Sequence, residues 1–365
     1  MRSPDVSSER RLVAWKDQAW LSAASLIVVA GLAVDTRRHR MANRLDTFYT
    51  PAHGLVYAGW VACAVVVLRV VRNEMADGAR RFDAVPQGFE PAVIGVAVFG
   101  IGGVGDLLWH TVFGIEQQIK ILFSPTHLLL MAAMLMVAFG VIRSAWMTAD
   151  QPVEPSIEPS IASPAPHRRR VTVAFRQFWP VAVAAGAMIS VLLVFVQFAS
   201  PYEAPLFSSS APFGALQPIL ETLGSLAVLI TTVVLFGIVL LLARRWVLPF
   251  GTFSITFAVA ASGTFVYMDF RPVRLLLSLL AGAVGCDCLS WALRRVPDAR
   301  LSYRLLGGLA PLLVWTSYVV FSVADKEIVW SAEQWTGTLL WSSLIGLALT
   351  VLLLPPRSTP VAYLD

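Results

Sequence analysis

The stretch Ser124–Trp146 reads SPTHLLLMAAMLMVAFGVIRSAW, and between Leu128 and Ile142 it carries no charge. Its Ser-Pro opening has the form of a helix start: a hydroxyl to cap the first turn, then proline at the first helical position, where its missing N–H is not needed. The run that follows is apolar all round and approaches the ~20 residues that cross a bilayer as a helix. The same reading gives ten spans, near Ala19–Val34, His53–Val71, Pro91–Thr111, Pro125–Trp146, Phe178–Phe198, Pro218–Ala243, Val247–Tyr267, Val273–Leu293, Leu305–Val323 and Trp335–Leu354. Composition agrees. Of the 365 residues 57% are apolar and 14% charged, against roughly 45–50% and 25% in soluble domains, and mean hydropathy is +0.69. Soluble, disordered and disulfide-stapled classes are excluded. The expected fold is an all-α, polytopic membrane helical bundle of about ten transmembrane helices, with the lipid bilayer as its first partner.

The 28 Lys and Arg residues divide unevenly between the two sides of such a bundle. Twenty, from Arg2 and Arg10 through Arg69, Arg143 and Arg244 to Arg357, fall with both termini and the even-numbered crossings; eight, among them Arg37, Arg38, Arg40 and Arg44, fall opposite. The positive-inside rule then puts both termini in the cytoplasm of a bacterial-type plasma membrane. The stretch 1–18 lacks the small-residue cleavage pattern of a removable signal peptide and is expected to stay attached. The isoelectric point near 9.4 reflects basic residues at helix ends, so no nucleic-acid partner is implied. Met147–Pro166, rich in Pro, Ser and Ala, has the composition of a linker, and the basic, partly apolar His167–Phe178 suits an anionic membrane surface. Three regions follow: a four-helix membrane half (1–146), a disordered and basic cytoplasmic linker (147–177), and a six-helix membrane half (178–365).

Four of the five histidines lie in two copies of one pattern. The first runs GLAVDTRRH (Gly31–His39), then Asp46, then TPAHGL (Thr50–Leu55); the second runs GGVGDLLWH (Gly102–His110), then Glu116, then SPTHLL (Ser124–Leu129). The register continues, because Arg69 follows His53 by sixteen residues and Arg143 follows His127 by sixteen. This is an internal repeat, a duplicated helical hairpin in one orientation, as in transporter folds with parallel repeats. Residues four apart share a helix face, so Asp35/His39 and Asp106/His110 point together. Thr50-Pro51 and Ser124-Pro125 place His53 and His127 in first turns, where the positive helix end disfavours imidazolium and leaves a lone pair for a metal.

By topology the four histidines, with Asp35, Asp46, Asp106 and Glu116, share one shallow site on the extracytoplasmic side. Nitrogen and oxygen donors without thiolate suit copper, iron, zinc or manganese, in one mononuclear or one dinuclear site. Haem held by paired histidines leaves the carboxylates unexplained. The expected primary ligands are His53, His110, His127 and Asp106, with His39, Asp35, Asp46 and Glu116 as second-site or supporting groups. The competing accounts are a proton or ion pathway without a fixed metal, and interfacial polar residues of structural use, with Asp35 paired to Arg37 or Arg38.

The strings GDLLWHTVFGIE and SPTHLLL resemble an uncharacterised family of bacterial multi-pass membrane proteins, over roughly the front half. Asp-x3-His on one membrane helix, with another His on its neighbour, is similar to a metal site in the C subunit of particulate methane and ammonia monooxygenases. That likeness implies copper bound by Asp106, His110 and His127. The present sequence departs from it in a longer final spacing and in the duplication.

The six later helices hold no histidine. Ionisable residues within spans are costly and so are functional candidates by default. Asp287, between Cys286 and Cys288, is either a relay or an interhelical hydrogen-bonding group. Asp269 and Glu221 lie near the outer surface and, with Asp287, would form a proton or ion path. Phosphate loops, serine elbows, zincin motifs and c-type haem attachment are missing from the sequence. Three function classes remain: a metal-dependent oxidoreductase acting on a small or lipid-soluble substrate, a proton or metal-cation transporter using the same residues, and a structural membrane protein. Other membrane subunits or a second copy of the chain are compatible partners.

Overall fold

Cap chemistry and apolar length together set the helices. The computed structural model of the chain describes residues 10–41, 48–79, 81–116, 118–149, 170–202, 217–270, 273–324 and 330–354. Among them are ten α-helices: α1 (Trp15–Met41), α2 (Pro51–Ala76), α3 (Glu90–Phe113), α4 (Pro125–Thr148), α5 (Phe175–Phe195), α6 (Gln217–Arg245), α7 (Thr252–Tyr267), α8 (Val273–Leu293), α9 (Ala299–Ala324) and α10 (Ala332–Leu353). Nine are long and apolar enough to cross a membrane; α7 is the shorter one. The protein is an all-α, membrane-spanning bundle.

The seventh expected span begins later than its hydropathy suggests. Trp246–Val247 forms a short strand, β2, paired in parallel with β1 (Val171–Thr172). Pro249 cannot donate to a helix, and Gly251 adopts φ 92°, a conformation glycine takes without strain, before α7 starts at Thr252. Of the expected linker 147–177, residues 150–169 lie outside the described residues, and the remainder holds the end of α4, β1 and the first turn of α5.

α1 and α2 form one antiparallel hairpin, and α3 and α4 a second. The two are close copies in detail. A Cβ on Gly31 would stand 2.6 Å from the Val56 backbone nitrogen, and one on the equivalent Gly102 would stand 3.1 Å from the Leu130 side chain, at the position matching Val56. Small residues there let each hairpin close tightly. At the far end, Arg69 pairs with Asp17 in the first hairpin, and Arg143 pairs with Glu90 at 3.4 Å in the second. α5 is largely buried and lies against α1, α4 and α7, joining the hairpins to the remaining helices. Apolar side chains left exposed at helical spacing, such as Val61, Val65 and Leu68 on α2 and Ile101, Val104, Leu108 and Val112 on α3, give these helices their face toward hydrocarbon.

Candidate metal centre

The histidines meet where each odd helix ends and the next begins. In the first hairpin Asp35 and His39 stand in the closing turns of α1, and His53 in the opening turn of α2. Thr50 caps α2, its side chain accepting from the His53 backbone N–H at 3.1 Å, and Pro51 follows. His53 Nδ1 lies 2.6 Å from the Phe48 carbonyl. A carbonyl only accepts, so Nδ1 carries a proton, and a neutral ring then has its lone pair on Nε2. That Nε2 is 3.4 Å from Asp35 Oδ2, and His39 Nε2 is 3.6 Å from the same oxygen.

The second hairpin repeats this arrangement with more support. Ser124 caps α4 by accepting from the His127 N–H at 3.3 Å, and its Oγ is 2.6 Å from His127 Nδ1. His110 Nδ1 faces two acceptors, Glu116 Oε2 at 3.1 Å and the Gly114 carbonyl at 3.3 Å, so Nδ1 carries a proton and a neutral ring has its lone pair on Nε2. Both His110 Nε2 and His127 Nε2 lie 3.5 Å from Asp106 Oδ1. Thr126 donates to that oxygen at 2.7 Å, and Trp109 Nε1 donates to Glu116.

Each group is thus two imidazoles around one carboxylate, with its ligand atoms all within 4.8 Å of one another and able to hold a metal ion. The spacing is compatible with a metal between the groups. A charge-assisted N–H···O⁻ bond closes to about 2.7–2.9 Å. Ligands on neighbouring corners of a tetrahedron with bonds of about 2.0–2.1 Å stand about 3.3–3.4 Å apart. The observed 3.4–3.6 Å matches the second. Among the described residues, His39 Nδ1 and Nε2 and His110 Nε2 are buried without a hydrogen-bond partner, a condition native proteins rarely leave uncompensated. Asp106 is 2% exposed, and a carboxylate so buried needs a cation or several donors. The groups adjoin, because the Phe48 ring stacks on His53 at 4.7 Å and lies 5.8 Å from His110.

His53 therefore stands with Asp35 and His39, while Asp106, His110 and His127 stand together. Glu116 is behind His110, on the nitrogen turned away from the group. Asp46 lies outside the described residues. Arg37 pairs with Asp269 at 2.6 Å, tying the end of α1 to the end of α7. Asp287 accepts from the Phe253 and Ser254 backbone N–H groups, both at 3.0 Å, and from Ser254 Oγ at 2.6 Å. It is the N-cap that α7 lacks from its own sequence, supplied from α8. Asp287 and Asp269 thus sit at opposite ends of α7, roughly 24 Å apart at 1.5 Å per residue. Asp287 and Asp269 are therefore not gathered in one place. Glu221 is on α6, where its backbone carbonyl accepts from Gln334.

Thr126, Trp109 and Phe48 join the centre without having been singled out. Thr126 was visible as the odd member of the repeat, since Ala52 fills its place in the first copy; Phe48 left no signal. Comparison with protein-family models, with curated proteins and with solved structures gives no match.

Proposed function

We propose that the chain is a membrane metalloprotein with a transition-metal ion in each hairpin, held by Asp35, His39 and His53 in one and by Asp106, His110 and His127 in the other. The observation that carries this reading is the common 3.4–3.6 Å spacing of imidazole nitrogen from carboxylate oxygen, too long for charged hydrogen bonds and close to ligand–ligand separations. Three protein ligands leave coordination positions open, and two imidazoles with one carboxylate is the donor set of non-haem ferrous oxygen chemistry. On this reading the centre performs redox or oxygen chemistry on a small or lipid-soluble substrate reaching it through the bilayer. Copper, the metal of the monooxygenase likeness, and zinc are the other metals this donor set takes.

Elemental analysis of the purified full-length protein, prepared without chelators, tests it. About two equivalents of iron or copper per chain are expected, falling to one in His110→Ala and in His127→Ala. Zinc alone would redirect the chemistry to hydrolysis. A folded protein that holds no metal, even after reconstitution with ferrous, cuprous and zinc salts, would remove the proposal.

A further inference from the structure

At the end of the bundle opposite the histidines, a cleft of about 1340 Å³ opens between the last turns of α6 and α8, the start of α9 and the β1–β2 pair. Five guanidinium groups line it, those of Arg170, Arg244, Arg245, Arg294 and Arg300, with a single carboxylate, Asp298. Asp298 caps α9, accepting from the Arg300 and Leu301 N–H groups at 2.7 and 3.2 Å. Among the described lining residues, arginines outnumber carboxylates five to one.

Backbone carbonyls and aromatic rings position several of these arginines. Arg170 donates to the Ala299 carbonyl and lies 5.6 Å from the Tyr303 ring centre; Arg294 donates to the Leu248 carbonyl. Arg245 is buried, 5.8 Å from the Trp146 ring centre. Burial holds the Arg170 guanidinium below its ordinary pKa, as expected of a cation whose desolvation is not fully offset. The positive-inside rule explains arginines at helix ends, but not five converging on one concavity.

We propose that this cleft binds a phosphate-bearing anion. Guanidinium groups match phosphate oxygens in bidentate fashion, and basic pockets between membrane helices accept acidic headgroups. Trp146 and Trp246 in the cleft wall, near the ends of α4 and α6, are the residue type that sits at headgroup level. The phosphate arrives either on an acidic phospholipid or free in solution.

Native mass spectrometry of the full chain in detergent separates these sources. Cardiolipin and phosphatidylglycerol are added against phosphatidylcholine, and inorganic pyrophosphate is added in a separate lipid-free series. Acidic lipid is expected to bind at least about tenfold tighter than phosphatidylcholine, and Arg244→Gln with Arg300→Gln should weaken it about tenfold per arginine. Both side chains sit at the cleft wall with solvent access, and a thermal unfolding scan checks that the variant folds. If it does not, Arg244→Lys with Arg300→Lys keeps the charge, and loss of bidentate geometry should still weaken binding. Pyrophosphate binding with the same arginine dependence, and no preference among lipids, assigns the cleft to soluble phosphate. Equal binding of acidic and neutral lipid together with no arginine-dependent binding of pyrophosphate overturns the proposal.

Discussion

The two hairpins carry the same three ligand types on the same helical positions, yet they hold them differently. In the second, His110 Nδ1 bonds the Gly114 carbonyl and has Glu116, which takes a hydrogen bond from Trp109, at ion-pair distance; His127 is backed by Ser124, and Asp106 takes a hydrogen bond from Thr126. Among the described residues of the first, the Phe48 carbonyl backs His53 and neither His39 nitrogen has a hydrogen-bond partner; Asp46, the counterpart of Glu116, lies outside them. Outer hydrogen bonds fix the tautomer and orientation of a metal-binding imidazole and raise its basicity, and their loss costs 10–100-fold in affinity in well-studied sites. The two copies thus share the same candidate donor set, and among the described residues the second has more hydrogen bonds around it. Among the described residues the second group is the more firmly held by hydrogen bonds, while packing, not hydrogen bonding, holds the buried His39 ring of the first.

The largest effect should come from Asp106→Asn. It removes the negative charge of the carboxylate shared by His110 and His127, and elemental analysis should show one metal equivalent lost with the first site still occupied. Loss of both equivalents would mean that the groups form one coupled centre. Glu116→Gln comes next. It leaves every ligand in place, so stoichiometry at saturation should hold while chelator competition shows affinity at the second site weakened by about 10–100-fold. Thr126→Ala makes the second copy resemble the first, and Ala52→Thr does the reverse. The former should weaken the second site by about tenfold and the latter should tighten the first, since one hydrogen bond to a charged group contributes about 1.5–3 kcal/mol. Opposite signs in a metal titration are the signature to look for. The smallest expected effect is on stability. Thr50→Ala and Ser124→Ala each remove an N-cap and should cost about 1 kcal/mol, with only Ser124→Ala also shifting metal affinity, because Ser124 alone of the two touches the Nδ1 of its histidine.

Much of the centre was legible in the chain itself. Asp-x3-His needs only the 3.6-residue turn to bring both side chains to one face, and Thr-Pro and Ser-Pro announce helix starts whose caps the structure contains. Arg69 and Arg143, sixteen residues beyond their histidines, do occupy matching places at the far ends of the hairpins. What could not be read was the sorting of histidines. Whether His53 serves Asp35 or Asp106 depends on how α2 crosses α1, and that crossing is decided by contacts such as Gly31 on Val56, spread over both helices.

The back half makes the same point from the other direction. Asp287, an acid within a span, invites a relay reading because burying a carboxylate is costly. Its partners are backbone N–H groups at the start of another helix, and backbone donors leave no mark in residue identity. The late start of α7 has the same origin, since Trp246–Val247 leaves the helical register to pair with a strand more than seventy residues earlier in the chain. Local rules acting on near neighbours were sufficient for the spans, the caps, the repeat and the Asp–His faces. The division of the ligands into two groups, the unequal support behind them and the capping role of Asp287 arise from contacts between segments far apart in the chain, and only packed helices bring those segments together.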